Sequence, residues 1–178
     1  NKTTGTNHSE SMVNYTKMNI ARMKRLDKRA KLTEETIQKL SKITKPVIWL
    51  VITEGWCGDA AQIVPVLNKM AIENQNITLK FILRDENLDI IDAFLTNGGR
   101  SIPKILVLDV ETLEVQKTWG PRPAEMQKMI LEAKEESFET EDLNLRKQIK
   151  AEAAKNLHLW YAKDKTLTTQ NEFLEKVV

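Results

Sequence analysis

With 178 residues, 41% of them apolar and 29% charged, the chain can bury the core of one globular domain, and a formal net charge of +2 gives no case for nucleic acid. No apolar run approaches the roughly 20 residues of a membrane span, and no basic start followed by an apolar core marks an export signal. A single cysteine, Cys57, excludes an internal disulfide and makes the cytoplasm the default compartment.

Residues 1–8 are polar and read as a frayed start. A helix capped by Ser9 or Ser11 is expected to run to about Arg29, with Met12, Tyr15, Met18, Ile20, Met23 and Leu26 roughly on one face. Thr33 opens a second short helix ending near Lys42, with Thr36 in place of the usual acid of a capping box. Between Lys17 and Lys45 stand ten Lys/Arg against three Asp/Glu. Such a run is ordinarily a solvated helix face, and the alternative is a patch for an acidic partner. Val47–Thr53 is continuously apolar, as expected of a central strand covered on both faces. Ala60–Ala71 has helical spacing, with Pro65 predicting a kink. Ile77, Leu79, Phe81 and Leu83 alternate as a second strand, and Leu88–Leu95 is a short helix closed by Gly98-Gly99. Ile105–Val110 and Leu113–Trp119 form a hairpin turning at Glu111-Thr112, and Pro123 starts a helix to about Glu136. Helices over 141–163 and 170–178 complete the chain.

The order β-α-β-α-β-β-α after a helical preface predicts a mixed α/β sheet of about four strands built on a parallel βαβ unit. The expected division is an N-terminal helical extension over 1–45, a central domain over 46–136 and a helical tail over 137–178 packed on that same domain.

The chemistry concentrates at Thr53-Glu54-Gly55-Trp56-Cys57-Gly58-Asp59-Ala60, where a strand ends and a helix begins. A lone cysteine is ordinarily a small buried hydrophobe. Here it is expected in the first turn of a helix, at the sheet edge where open α/β sheets place ligands, and helix N–H groups favour a thiolate.

Trp56-Cys57-Gly58-Asp59-Ala60 resembles the thioredoxin active-site motif Trp-Cys-Gly-Pro-Cys. Pro65, eight residues after Cys57, matches the proline of that family's kinked active-site helix, and Ser101-Ile102-Pro103 stands where the family's cis-proline precedes the hairpin. With Arg84-Asp85-Glu86-Asn87 and Trp119-Gly120-Pro121-Arg122-Pro123, the chain is similar to a bacterial branch of the thioredoxin family, the fold-level match covering 46–136. The resemblance implies a thioredoxin-like three-layer α/β fold and a cis Pro103, with Ile102 offering backbone groups to an extended substrate. The alternative for Pro103 is an ordinary trans proline at a strand start.

Two departures from the family bear on chemistry. Ala60 replaces the second cysteine and Val51 the buried acid, so the chain holds no resolving thiol. The resemblance therefore implies a monothiol thiol–disulfide oxidoreductase acting in redox homeostasis. Cys57 is its reactive group, Trp56 its apolar rim, Gly58 and Asp59 its turn, and Ile102 and Pro103 its substrate-binding loop. An external thiol completes the cycle: no cofactor is expected beyond a low-molecular-weight thiol co-substrate, and the partner is a protein or small-molecule thiol or disulfide. The like charge of Asp59 opposes a thiolate. Arg122, and less strongly Arg100, would offset it if their loops flank Cys57, as an anion clamp for a peptide-like thiol; otherwise they are surface ion pairs, Arg100 with Asp59 or Glu54. The rival reading is a redox-inactive thioredoxin-like protein-binding module, and a peroxide-sensing cysteine ranks below both. His8 and His158 are too far apart to form a metal site with Cys57, and an iron–sulfur cluster shared between two chains is a remote alternative.

Overall fold

A computed structural model describes residues 6–178; residues 1–5 of the expected frayed start lie outside the described chain. The chain forms two compact units, one running up to Pro121 and including Thr166–Val178, the other Arg122–Lys165. No helix of the described residues is long and apolar enough to cross a membrane.

The first unit is organised on β1 (Val47–Thr53), which pairs parallel with β2 (Ile77–Leu83) and antiparallel with β3 (Lys104–Asp109). β4 (Val115–Trp119) closes the order β2-β1-β3-β4, a mixed four-stranded sheet. β1 is internal to the sheet, paired along both edges, and its Trp49, Val51 and Ile52 are fully buried, which accounts for much of its apolar run. α3 (Gly58–Glu73) connects β1 to β2, carries Pro65 in its interior, and buries Ile63, Val66, Leu67 and Met70 completely. Unlike a surface helix it is covered on more than one side, by β2 and by α1 (Glu10–Arg29).

α7 (Leu167–Val177) also belongs to this unit. Its Phe173 ring stands edge-on to Trp49 of β1 at 4.7 Å and to Trp119 of β4 at 5.7 Å, offset geometries that complement the ring quadrupoles. One turn earlier, fully buried Gln170 uses both ends of its amide. The carbonyl accepts from Thr33 N–H (3.1 Å) and the Thr36 hydroxyl (2.9 Å), and the NH₂ donates to Lys31 O and Thr166 Oγ1 (both 3.0 Å). This ties the C-terminal helix to α2 (Glu34–Leu40), whose N-cap Thr33 accepts the Thr36 N–H.

Three local expectations change. Along α1 the inward face carries Thr16 and Asn19, while Tyr15, Met18 and Ile20 are exposed; the reason is a polar target for Asn19, described below. α4 is only Leu88–Asp92, after a single 3-10 turn at Arg84–Glu86. Gly98-Gly99 does not cap it: Asn97 and Gly98 both have positive φ, and Thr96 and Gly99 exchange two backbone hydrogen bonds around them. That is the geometry of a tight two-residue turn, for which Asn-Gly is the preferred pair. The hairpin turn is longer than Glu111-Thr112, because Asp109 Oδ1 accepts from both Glu111 and Thr112 N–H and Leu113 adopts a left-handed conformation.

The second unit is a helical hairpin of α5 (Ala124–Glu139) and α6 (Leu143–Asp164). Asp142 caps α6 by accepting Asn144 and Leu145 N–H, and Trp160 Nε1 donates to Glu125.

Gln170→Ala removes the partner of two donors and two acceptors, of which the Thr36 hydroxyl and Thr166 Oγ1 are buried. It should lower the stability of the protein by about 3 kcal/mol, read as a drop in the urea midpoint with little change in m-value. A loss well under 1 kcal/mol would mean that water replaces the amide.

Candidate functional site

β1 delivers the chain to the sheet edge, and the next four residues turn into α3. The turn closes where Cys57 N–H donates to Glu54 O (3.0 Å), and α3 starts where Ala61 N–H donates to Cys57 O (3.1 Å). Cys57 is therefore the N-cap, one position ahead of the first helical turn where the sequence pattern placed it, with extended φ −72° and ψ 119°. Its Sγ lies 3.5 Å from Ala60 N, a sulfur standing where Ser or Asp oxygen usually accepts. The same sulfur lies 3.3 Å from Ile102 O, to which the S–H donates. The Ala60 amide complements charge on sulfur, and the Ile102 carbonyl receives the proton of the neutral thiol. Both states have a partner, in a site where Cys57 is only 7% exposed.

Ile102 and Pro103 are buried and joined by a cis peptide bond. Gly120 packs directly on this loop. Its φ is +111° and a Cβ there would overlap the Pro103 carbonyl oxygen, so glycine alone fits both the backbone angle and the contact. The site thus joins three chain segments: the β1–α3 turn, the loop before β3 and the residue after β4.

Among the other expected site residues, Gly58 and Asp59 form the first turn of α3, with Asp59 buried. Trp56 is half-buried beneath a cation: the Arg84 guanidinium lies 4.9 Å from its ring centroid. Arg84 also pairs with Asp85 (2.7 Å) and donates to Arg100 O (3.3 Å). Arg100 makes a two-pronged ion pair with Asp92 at 2.6 and 2.7 Å, and not with Asp59 or Glu54. Arg122 opens the second unit and donates to Gln127 Oε1 (2.6 Å). Among the described residues, no three His, Cys, Asp or Glu side chains group as a metal site.

The structure adds two residues that pattern reading passed over. Asn19, 1% exposed, donates from α1 to Gly55 O at 3.1 Å, and Arg22 holds its Oδ1 at 3.0 Å. A buried amide on α1 answers the carbonyl that the tight turn leaves unpaired. Glu54, also 1% exposed, accepts the Asp85 N–H on Oε1 at 3.0 Å, while Oε2 has no protein partner. Burial raises its pKa; the Asp85 amide and Arg84 oppose that rise, and the charges of Asp85 and Glu86 add to it. The signal for Asn19 was its helical spacing with Met12, Met23 and Leu26; for Glu54 it was an acid three residues before the cysteine.

A carboxyl with a raised folded-state pKa binds its proton more tightly in the native protein. Its contribution is present below the unfolded value and is lost as pH rises through the folded value. Glu54→Gln keeps an acceptor for Asp85 and removes the titration. The wild type should therefore lose urea stability relative to Glu54→Gln as pH climbs from about 4 toward neutrality. Parallel stability–pH curves for the two proteins would show that Glu54 is not strained by ionisation.

Against known proteins, a thioredoxin family model matches residues 5–142. No curated protein matches this chain in sequence. A crystal structure of a protein of unknown function from Pseudomonas aeruginosa superposes with a TM-score of 0.60 at 19% identity, covering 94% of this chain and 84% of that one. An HIV epitope scaffold superposes with a TM-score of 0.58 at 18% identity over the same shares. At these identities the likeness is one of fold. The family match spans the β1–α3 turn, the cis-proline loop and the whole four-stranded sheet, and the chain belongs to the thioredoxin family.

Proposed function

We propose that the protein is a monothiol thiol–disulfide oxidoreductase of the cytoplasm, working through Cys57 and an external thiol. The observation that carries this reading is the placement of Sγ between the Ala60 amide at the start of α3 and the Ile102 carbonyl beside the cis proline. A sulfur there has a donor for its charged state and lies next to backbone groups that an extended substrate can pair with. Arg122 remains a candidate for holding an anionic group of the substrate.

In the proposed cycle, the Cys57 thiolate attacks a mixed disulfide between a substrate and a small thiol. The Cys57 Sγ–S bond forms as the substrate S–S bond breaks, and the substrate leaves as thiolate and takes up a proton. A second small-thiol molecule, as thiolate, then attacks the Cys57-bound sulfur. Cys57 thiolate is regenerated and the small thiol departs as its disulfide, so the two electrons reducing the substrate come from two small-thiol molecules. Ala60 offers no sulfur, so the second step is intermolecular.

One observation favours a redox-inactive binding module instead: at rest the thiol is shielded and satisfied by Ile102 O. The two readings part on turnover. Glutathione-dependent reduction of a small mixed disulfide should be measurable and abolished by Cys57→Ser. Absence of turnover, together with a thiol that resists alkylation across neutral pH, would leave the module reading.

Ala60→Cys should convert the mechanism. Residue 60 is buried one helical turn from Cys57, with its amide against Sγ, so a thiol there can reach the disulfide geometry. After oxidation by a small-molecule disulfide, mass spectrometry of the variant should show the loss of two hydrogen atoms and no free thiol. An oxidised variant that stays a dithiol or dimerises would show that the helix start is too rigid for the pair.

A further inference from the structure

Charge is segregated along this chain. The first 45 residues hold eleven Lys/Arg and four Asp/Glu; the remaining 133 hold sixteen and twenty-one. A net charge of +2 therefore hides a basic N-terminal segment of +7 on a body of −5. Much of the basic charge sits on α1, where Lys17, Lys24, Arg25, Lys28 and Arg29 form no ion pair among the described residues. A helix built only to be soluble commonly offsets such charges with acids one turn away. Here Asp27 is the only acid after the first residue of the helix.

The arrangement has a direction. Tyr15, Met18, Arg22, Arg25 and Arg29 follow at alternating spacings of three and four, so they share one stripe, roughly 20 Å long at 1.5 Å per residue. Tyr15 and Met18 are 48% and 46% exposed, and Arg25 and Arg29 are exposed as well. The stripe is wired to the site: Arg22 holds Asn19, and Asn19 holds the carbonyl of Gly55, two residues before Cys57. The apolar side of α1, with Met12, Met23 and Leu26, turns inward, leaving Tyr15, Met18 and Ile20 as the large apolar side chains outside, too few for a helix lying in a bilayer.

We propose that the stripe on α1 is a docking surface for an acidic protein segment, which it delivers to Cys57. The inference rests on the exchange chemistry proposed above and adds the class of substrate: disulfides flanked by Asp- and Glu-rich sequence. Complementary charge on a rim of this kind acts mainly through the encounter rate and is screened by salt.

The test uses glutathionylated peptides of equal length, one acidic, one neutral and one basic, beside a small mixed disulfide, with wild type and Arg25→Glu/Arg29→Glu. Both substituted residues are exposed, and neither hydrogen-bonds to Asn19. The acidic peptide should exceed the neutral one in kcat/KM by about tenfold at low ionic strength. The charge reversal should erase that preference, as should about 0.5 M salt, while turnover of the small disulfide stays unchanged. Equal turnover of the three peptides, or a preference that survives the reversal, overturns the proposal.

If no disulfide is turned over, the exchange reading fails by itself, and the docking surface is then judged by binding. Cys57→Ser protein should bind a thiol-free acidic peptide, and the same protein carrying the two reversals should not. No binding, or tighter binding to phosphatidylserine vesicles or duplex DNA than to the peptide, overturns it.

Discussion

Everything at the site depends on β1 being paired along both edges. It pairs with β2 on one side and β3 on the other, so its direction and register are held by two ladders. The residue that follows Thr53 must leave the sheet at a defined point, and the turn closed by Cys57 N–H on Glu54 O hands the chain to α3. The position of the sulfur follows from the sheet. The antiparallel register that sets Ile52 opposite Lys104 also brings the Ile102–Pro103 loop, two residues earlier on the same chain, up to the start of α3. Thiol and cis-proline loop meet because β1 ends and β3 begins at the same edge of the sheet.

Around that frame, buried polar side chains make the connections that apolar packing cannot specify. Gln170 fastens α7 to the start of α2, Asn19 fastens α1 to the turn before Cys57, and Glu54 fastens that turn to the segment after β2. Each buries an amide or carboxyl and recovers the cost through backbone partners. Gln170 is satisfied at every atom, whereas Glu54 keeps one oxygen unpaired. The uncompensated group lies beside the cysteine, where local free energy is commonly given up for function.

The chemistry available is set as much by Ala60 and Val51 as by Cys57. A dithiol site stores its own resolving group and needs an acid to handle the second proton. With apolar residues at both positions, the chain holds neither a resolving thiol nor that acid. α1, whose Arg25 and Arg29 form no ion pair among the described residues, packs on α3 and holds the Gly55 carbonyl of the turn before Cys57.

Residue order alone determined the sheet and the place of Cys57 at the junction of a strand and a helix. The unbroken apolar run of β1, the alternation in β2, Cys57 at a strand–helix junction and a proline before β3 are local signals, since each reflects burial or backbone restriction within a few residues. Tertiary structure alone decided what those signals could not reach. Tyr15 and Met18 look like core by spacing, yet Thr16 and Asn19 face inward, because the surface under α1 includes the polar Gly55 carbonyl. Arg100 is drawn to Asp92, and Phe173, more than 120 residues from Trp49 in sequence, completes the aromatic cluster beneath the sheet. Periodicity records how much of a residue is buried. What it is buried against depends on segments far away in the chain, and for this protein that difference separates a lone cysteine in a sequence from a thiol held between an amide and a carbonyl.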